Sequence, residues 1–138
     1  MVISARNQIK GKIEAVQEGV VNAFVTLKTA SGDKITATIS LAAVKDLGLA
    51  PGKDAVAVIK ATEVMIGSGD LKISARNQLA GEIVKVQEGA VNAVVTLKTA
   101  GGDTITSTIS MAAVKDLGLA PGAKAKAVVK ATSVMIAI

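Results

Sequence analysis

Two identical hexapeptides, Ile3–Gln8 and Ile73–Gln78, read ISARNQ. Each brings together a hydroxyl (Ser4, Ser74), a guanidinium (Arg6, Arg76) and two carboxamides (Asn7 and Gln8, Asn77 and Gln78), with no carboxylate among them. If Ile3–Asn7 runs extended, Ser4 and Arg6 project from one face. Two further donor groups recur with them. Ser40 and Ser110 precede helix-forming runs, where the amides of Ala42 and Ala43, or Ala112 and Ala113, would lack internal partners and carry partial positive charge. Lys60 and Lys130 head Lys-Ala-Thr triplets, in which Thr62 and Thr132 add hydroxyls. A tetrahedral oxyanion has only acceptor oxygens. It therefore wants N–H and O–H donors, one or two positive charges and no nearby acid, which is this inventory.

Each of these residues also has an ordinary structural reading. Ser40 serves as a helix N-cap. Arg6 and Lys60 serve as solvated surface charges, and Asn7 and Gln8 satisfy backbone groups at a barrel corner. Repetition alone does not decide between these readings, because a duplication copies everything.

The composition narrows the chemistry. The chain has 138 residues, half of them apolar and 20% charged, which suits a globular protein. It contains no Cys and no His, so disulfides, most zinc and copper sites, and Ser-His-Asp or Cys-His catalysis fall away. Asp and Glu are scattered and form no paired acid and base, so no enzyme is expected. The net charge of +5 raises nucleic acid as a partner. Against it, the Lys residues are dispersed and Phe24 is the single aromatic, so stacking platforms for single strands are missing. The N-terminus lacks the apolar run of a secretion signal, and no stretch approaches the roughly 20 apolar residues that span a bilayer. These features predict a cytoplasmic protein without a membrane partner.

The elements that must position the donors are written twice. A shift of 70 residues aligns Val2–Ser68 with Lys72–Ile138, with about 48 of the 67 pairs identical. Gly67-Ser68-Gly69-Asp70 marks the join. This predicts one small domain over 1–67, a linker over 68–70 and a second domain over 71–138. Lys34–Ser40 alternates apolar and polar residues with period two, as does Val20–Lys28. The Ala30–Asp33 stretch is a hairpin-turn signal. Gly11–Gln17, Ala55–Lys60 and Val64–Ile66 also read as strands. One segment breaks the pattern. Leu41–Leu47 reads as a two-turn helix, capped by Ser40 and stopped by Gly48 with Pro51 beyond. About five strands and one short helix per copy predict an all-β chain of two tandem OB-like β-barrels. Domains this small and this poor in aromatics lean on neighbours. Between the copies, charge changes at Lys10/Ala80, Lys12/Glu82, Lys34/Thr104, Lys53/Ala123 and Asp54/Lys124 look unconstrained, whereas Arg6/Arg76 and Lys60/Lys130 agree.

SARNQ near the start of each copy, EGxVNA, LGLxPG, and KATxVMI at the end resemble the molbindin family, the Mop proteins or TOBE-type molybdate-binding domains. The resemblance covers nearly the whole chain twice, as in di-Mop members. It implies OB-like barrels that bind molybdate, and tungstate as well, for intracellular molybdenum storage or homeostasis, with no cofactor. It also implies sites where subunits meet, and a homo-oligomer in which this chain forms a trimer of six barrels. Carried over by motif, Ser4, Arg6 and Lys60 with the Ala5 and Ala61 backbone form one side of a site, closed by Ser40 and the Ala42–Ala43 amides of a neighbouring barrel. The second copy matches with Ser74, Ala75, Arg76, Lys130, Ala131, Ser110, Ala112 and Ala113. Further oxyanion sites near the threefold axis would involve Val21, Asn22, Val91 and Asn92. Many family members carry Ser where this chain has Ala43 and Ala113, so a hydroxyl contact is missing there. No helix-turn-helix or ATPase motif accompanies the repeats, which sets the chain apart from regulator and transporter-subunit members.

Overall fold

The computed structural model describes residues 1–138. Each copy contributes five strands and one short helix. The first supplies β1 (Asn7–Glu18), β2 (Asn22–Thr29), β3 (Lys34–Ser40), α1 (Leu41–Leu47), β4 (Asp54–Ile59) and β5 (Met65–Gly67). The second supplies β6 (Asn77–Glu88), β7 (Asn92–Thr99), β8 (Thr104–Ser110), α2 (Met111–Leu117), β9 (Lys124–Val129) and β10 (Met135–Ala137). A single 3-10 turn precedes each last strand, at Ala61–Glu63 and Ala131–Ser133.

The helix and the third strand fall where the sequence pattern puts them. The Ser40 Oγ accepts from the Ala43 N–H, and Gly48 adopts the left-handed conformation (φ 60°) that ends the helix. The second strand begins two residues later than its apolar pattern suggests. Val20 and Val21 stay exposed in the turn, which is closed by the Gly19 N–H donating to the Asn22 carbonyl at 2.8 Å. Strand β1 starts earlier than expected, at Asn7, and a bulge between Ile13 and Ala15 bends it. The bend lets β1 pair with β4 along its first half and with β2 along its second. At Gly11 it pairs with both, and a Cβ there would run into the Lys28 carbonyl oxygen. Only a residue without a side chain fits that approach.

The sheets do not follow the sequence repeats. One antiparallel sheet has the order β10-β4-β1-β2-β3, and the other β5-β9-β6-β7-β8. Each OB-like barrel therefore takes its last strand from the other copy. Met135–Ala137 pairs with Val56–Val58, and Met65–Gly67 pairs with Lys126–Val128. The division at residues 67 and 71 describes the duplication, but the barrels are interlocked halves. The physical reason lies in the 3-10 turns, which carry the chain across the seam. There Ala61–Glu63 packs against β8, and Ala131–Ser133 against β3. A single cluster of 25 buried apolar residues, from Ile9 to Ile136, runs through both barrels. This continuous core offsets the small size of each copy.

Side chains also join the seam. Asn7 and Asn77, both buried, each hydrogen-bond a strand of the opposite barrel. Ser107 donates to the Val64 carbonyl at 2.5 Å, and the half-buried Ser133 to the exposed Glu63 at 3.2 Å. Two of the charge differences between copies prove to be coupled. Lys12 pairs with Asp54 at 2.7 Å, and in the second barrel the register partners are Glu82 and Lys124, the same pair with its signs exchanged.

Candidate functional site

The SAR loop owes its shape to the carboxamide next to it. Gln8 Nε2 donates to the Ala5 carbonyl at 2.9 Å and to the Ile3 carbonyl at 3.2 Å, and Gln78 repeats this with Ala75 and Ile73 at 3.0 and 3.1 Å. Ala5 and Ala75 are buried, which turns the flanking Ser4, Arg6, Ser74 and Arg76 outward. Asn7 and Asn77 are buried and bonded across the seam. None of the four carboxamides is left to a ligand, so the donors available in ISARNQ reduce to the hydroxyl, the guanidinium and the backbone.

The KAT triplets stand at the crossings between barrels. β9 ends at Val129, and Lys130 leads into the 3-10 turn that delivers the chain to the other sheet. This crossing brings the two motifs together. A cleft of about 440 Å³ is lined by Ser74, Ala75 and Arg76 on one side and by Lys130, Ala131 and Thr132 on another. Its remaining wall comes from the first copy, with Phe24 on β2, Thr38 on β3 and Met65 on β5, together with Ile73. Two cationic side chains and three hydroxyls line it, and no carboxylate does. Ser4, Ala5, Arg6, Lys60, Ala61 and Thr62 hold the repeat-related place. There the Asn7 bond to Thr106 mirrors that of Asn77 to Thr36.

The remaining candidates form a neighbouring group and do not line this cleft. Asn22 pairs with Ser40, and the Leu41 N–H donates to the Val21 carbonyl at 2.9 Å, so the turn at Val21–Asn22 and the helix start sit side by side. Asn92 pairs with Ser110, and the Met111 N–H donates to the Val91 carbonyl at 2.8 Å. Ala43 and Ala113 spend their N–H groups on the capping serines at 3.1 Å, and Ala42 and Ala112 are exposed. Ser40 lies two residues beyond Thr38 on β3 and hence on the same strand face. The capped helix start of one barrel thus extends the wall that faces the Arg76 and Lys130 of the other copy.

Sequence reasoning missed Phe24, Thr38 and Met65. The Arg76 Cζ sits over the Phe24 ring, 5.1 Å from its centroid. One signal was available: the only aromatic of the chain stands at a position where the second copy has Val94.

Comparison with known proteins places the fold and the two copies in a family. The TOBE domain model matches residues 3–66 and again 73–136. The molybdenum transport protein ModE of Azotobacter vinelandii is 39% identical over the whole of this chain, which covers 52% of that protein. Molybdenum-pterin-binding protein 3 of Clostridium pasteurianum is 56% identical over 66 residues, 48% of this chain and 97% of that one. The chain spans about half the length of the first of these relatives and about twice that of the second. A crystal structure of the cytoplasmic molybdate-binding protein ModG with molybdate bound superimposes with a TM-score of 0.96 at 46% identity, covering 100% of this chain and 99% of that one. With both copies matched almost end to end and the interlocked fold shared, the chain belongs to the TOBE domain family, as a tandem pair.

Proposed function

We propose that this protein binds molybdate, and tungstate with it, at the seams between barrels, as a binding protein of molybdenum homeostasis and not as an enzyme. The observation that carries the reading is the cleft in which SAR and KAT of one copy meet β2 and β3 of the other. It offers Arg76, Lys130, Ser74, Thr38 and Thr132 to a ligand and holds no carboxylate to repel a dianion. ModG, alike along its whole length, is a molybdate-binding protein described as cytoplasmic, and the same setting is proposed here. Ser4, Arg6 and Lys60 form the repeat-related site. The exposed Ser40 and Ser110 helix starts, with the Val21–Asn22 and Val91–Asn92 turns beside them, suit closure of further sites in an assembly. Val20, Val21 and Val91 are largely exposed apolar side chains on those turns, which favours a homo-oligomer, proposed as a trimer of six barrels.

Equilibrium dialysis against molybdate, tungstate, sulfate and phosphate, with the mass of the assembly measured in parallel, tests this reading. Saturable molybdate uptake that competes with tungstate is expected. Arg6→Ala with Arg76→Ala should weaken it at least tenfold, about the loss of one charge-assisted hydrogen bond. Equal uptake by that variant would overturn the site.

A further inference from the structure

The two copies differ at one place where the difference touches the proposed site. Phe24 is the only aromatic residue of the chain, yet it lies outside the core and is 37% exposed. It stands on the cleft wall with the Arg76 guanidinium over its ring. In the other half the same relationship is impossible. Arg6 is set by Asn7 against β8 as Arg76 is set by Asn77 against β3, and the residue corresponding to Phe24 is Val94. Val94 pairs with Thr108 just as Phe24 pairs with Thr38, so the backbone is equivalent and only the side chain differs.

A ring face attracts the guanidinium through its quadrupole, and with five N–H donors the group keeps several for an oxyanion. An arginine held this way gives up less rotamer freedom on binding than a freely moving one. We propose that Phe24 is a positioning residue that holds Arg76 ready for the oxyanion, so that the Arg76 site binds more tightly than the Arg6 site and the two fill in that order. This rests on the molybdate-binding reading above. At an exposed cation–π contact the difference amounts to about two- to fivefold in affinity.

The test uses the full chain in its native assembly. Without ligand, relaxation of the arginine Nε–H signals should show Arg76 ordered and shifted by the ring, and Arg6 mobile. Phe24→Val should make the two alike, and Phe24→Tyr should preserve the difference. In titration calorimetry with molybdate, Arg6→Ala isolates the Arg76 site and Arg76→Ala the Arg6 site. Adding Phe24→Val or Phe24→Leu to the first should weaken binding about two- to fivefold, and adding Val94→Phe to the second should strengthen it by a similar factor. Equal mobility of the two arginines, or a Phe24→Leu variant that binds like its parent, overturns the proposal. If both arginine variants bind molybdate like the unaltered chain, the site reading fails instead, whatever the Nε–H signals show.

Discussion

Asn7 grips Thr106 across the seam as though it were another strand. Its Nδ2 donates to the Thr106 carbonyl at 2.8 Å, and its Oδ1 accepts from the Thr106 N–H at 2.7 Å. Asn77 treats Thr36 identically, with the same two distances. A carboxamide is one of few side chains that can present a donor and an acceptor side by side, as a peptide group does. The proposed binding motif and the barrel seam thus rest on adjacent residues, Arg6 beside Asn7 and Arg76 beside Asn77.

Replacing either asparagine should therefore cost more than a surface change. Asn7→Ala removes two hydrogen bonds and leaves the Thr106 N–H and carbonyl without these partners in a half-buried place. The expected loss is about 2–4 kcal/mol, to be read from the midpoint of urea unfolding. A variant within about 0.5 kcal/mol of the unaltered chain, the range of ordinary surface substitutions, would show that water replaces the carboxamide without penalty.

The exchange of β5 and β10 makes a second prediction. A fragment of residues 1–70 lacks the strand that completes its own sheet and carries one that fits only a partner. It is expected to fold only as a dimer unit, in which two copies trade Met65–Gly67, to assemble to six copies where the full chain forms a trimer, and to unfold on dilution. A stable folded monomer would mean that β5 folds back on its own barrel.

The turns at Asp33 and Asp103 give a third. Thr29 Oγ1 donates to Asp103 at 2.6 Å, and Thr99 Oγ1 donates to Asp33. Partial burial raises the Asp33 carboxyl above its ordinary value of 3.8, the Thr99 hydroxyl opposes this, and the Asp103 carboxyl beside it raises it further. The folded state thus keeps a proton that the unfolded chain has already released. Its stabilising contribution is full below the ordinary carboxylate value and is lost as pH rises through the raised one. Asp33→Asn keeps an acceptor for Thr99 and removes this titration. The difference in unfolding free energy between variant and parent should therefore move in favour of the variant as pH rises from about 3 to 7. A difference that stays flat with pH would remove Asp33 from the account.

Gly11 supplies a fourth. A Cβ at this position meets the Lys28 carbonyl, a backbone atom that cannot rotate away. Gly11→Ala should destabilise the chain by about 1–3 kcal/mol, as overpacking does, and Gly81→Ala should match it because Lys98 takes the place of Lys28. Thermal melting of the two single variants checks both, and an unchanged melting temperature would show that the strands concerned, β1 and β2 or β6 and β7, separate at little cost.

Much of this protein was legible in its sequence for local reasons. Lys34–Ser40 alternates with period two and forms a strand, because its pattern and its pleat coincide. Leu41–Leu47 is bracketed by Ser40 and Gly48, whose capping chemistry acts within one turn. The duplication and the grouping of Ser, Arg and Lys donors without acids are properties of composition and spacing. Tertiary structure decided the rest. Nothing local distinguishes a chain whose Met65–Gly67 closes its own barrel from one that trades it for Met135–Ala137, since both make the same hydrogen bonds with near-identical partners. The role of Asn7 depends on a strand 99 residues away, and that of Phe24 on an arginine 52 positions later. Short-range signals set which elements form. Which copy each element serves, and hence which residues face one another across the seam, depends on packing that only the assembled fold defines.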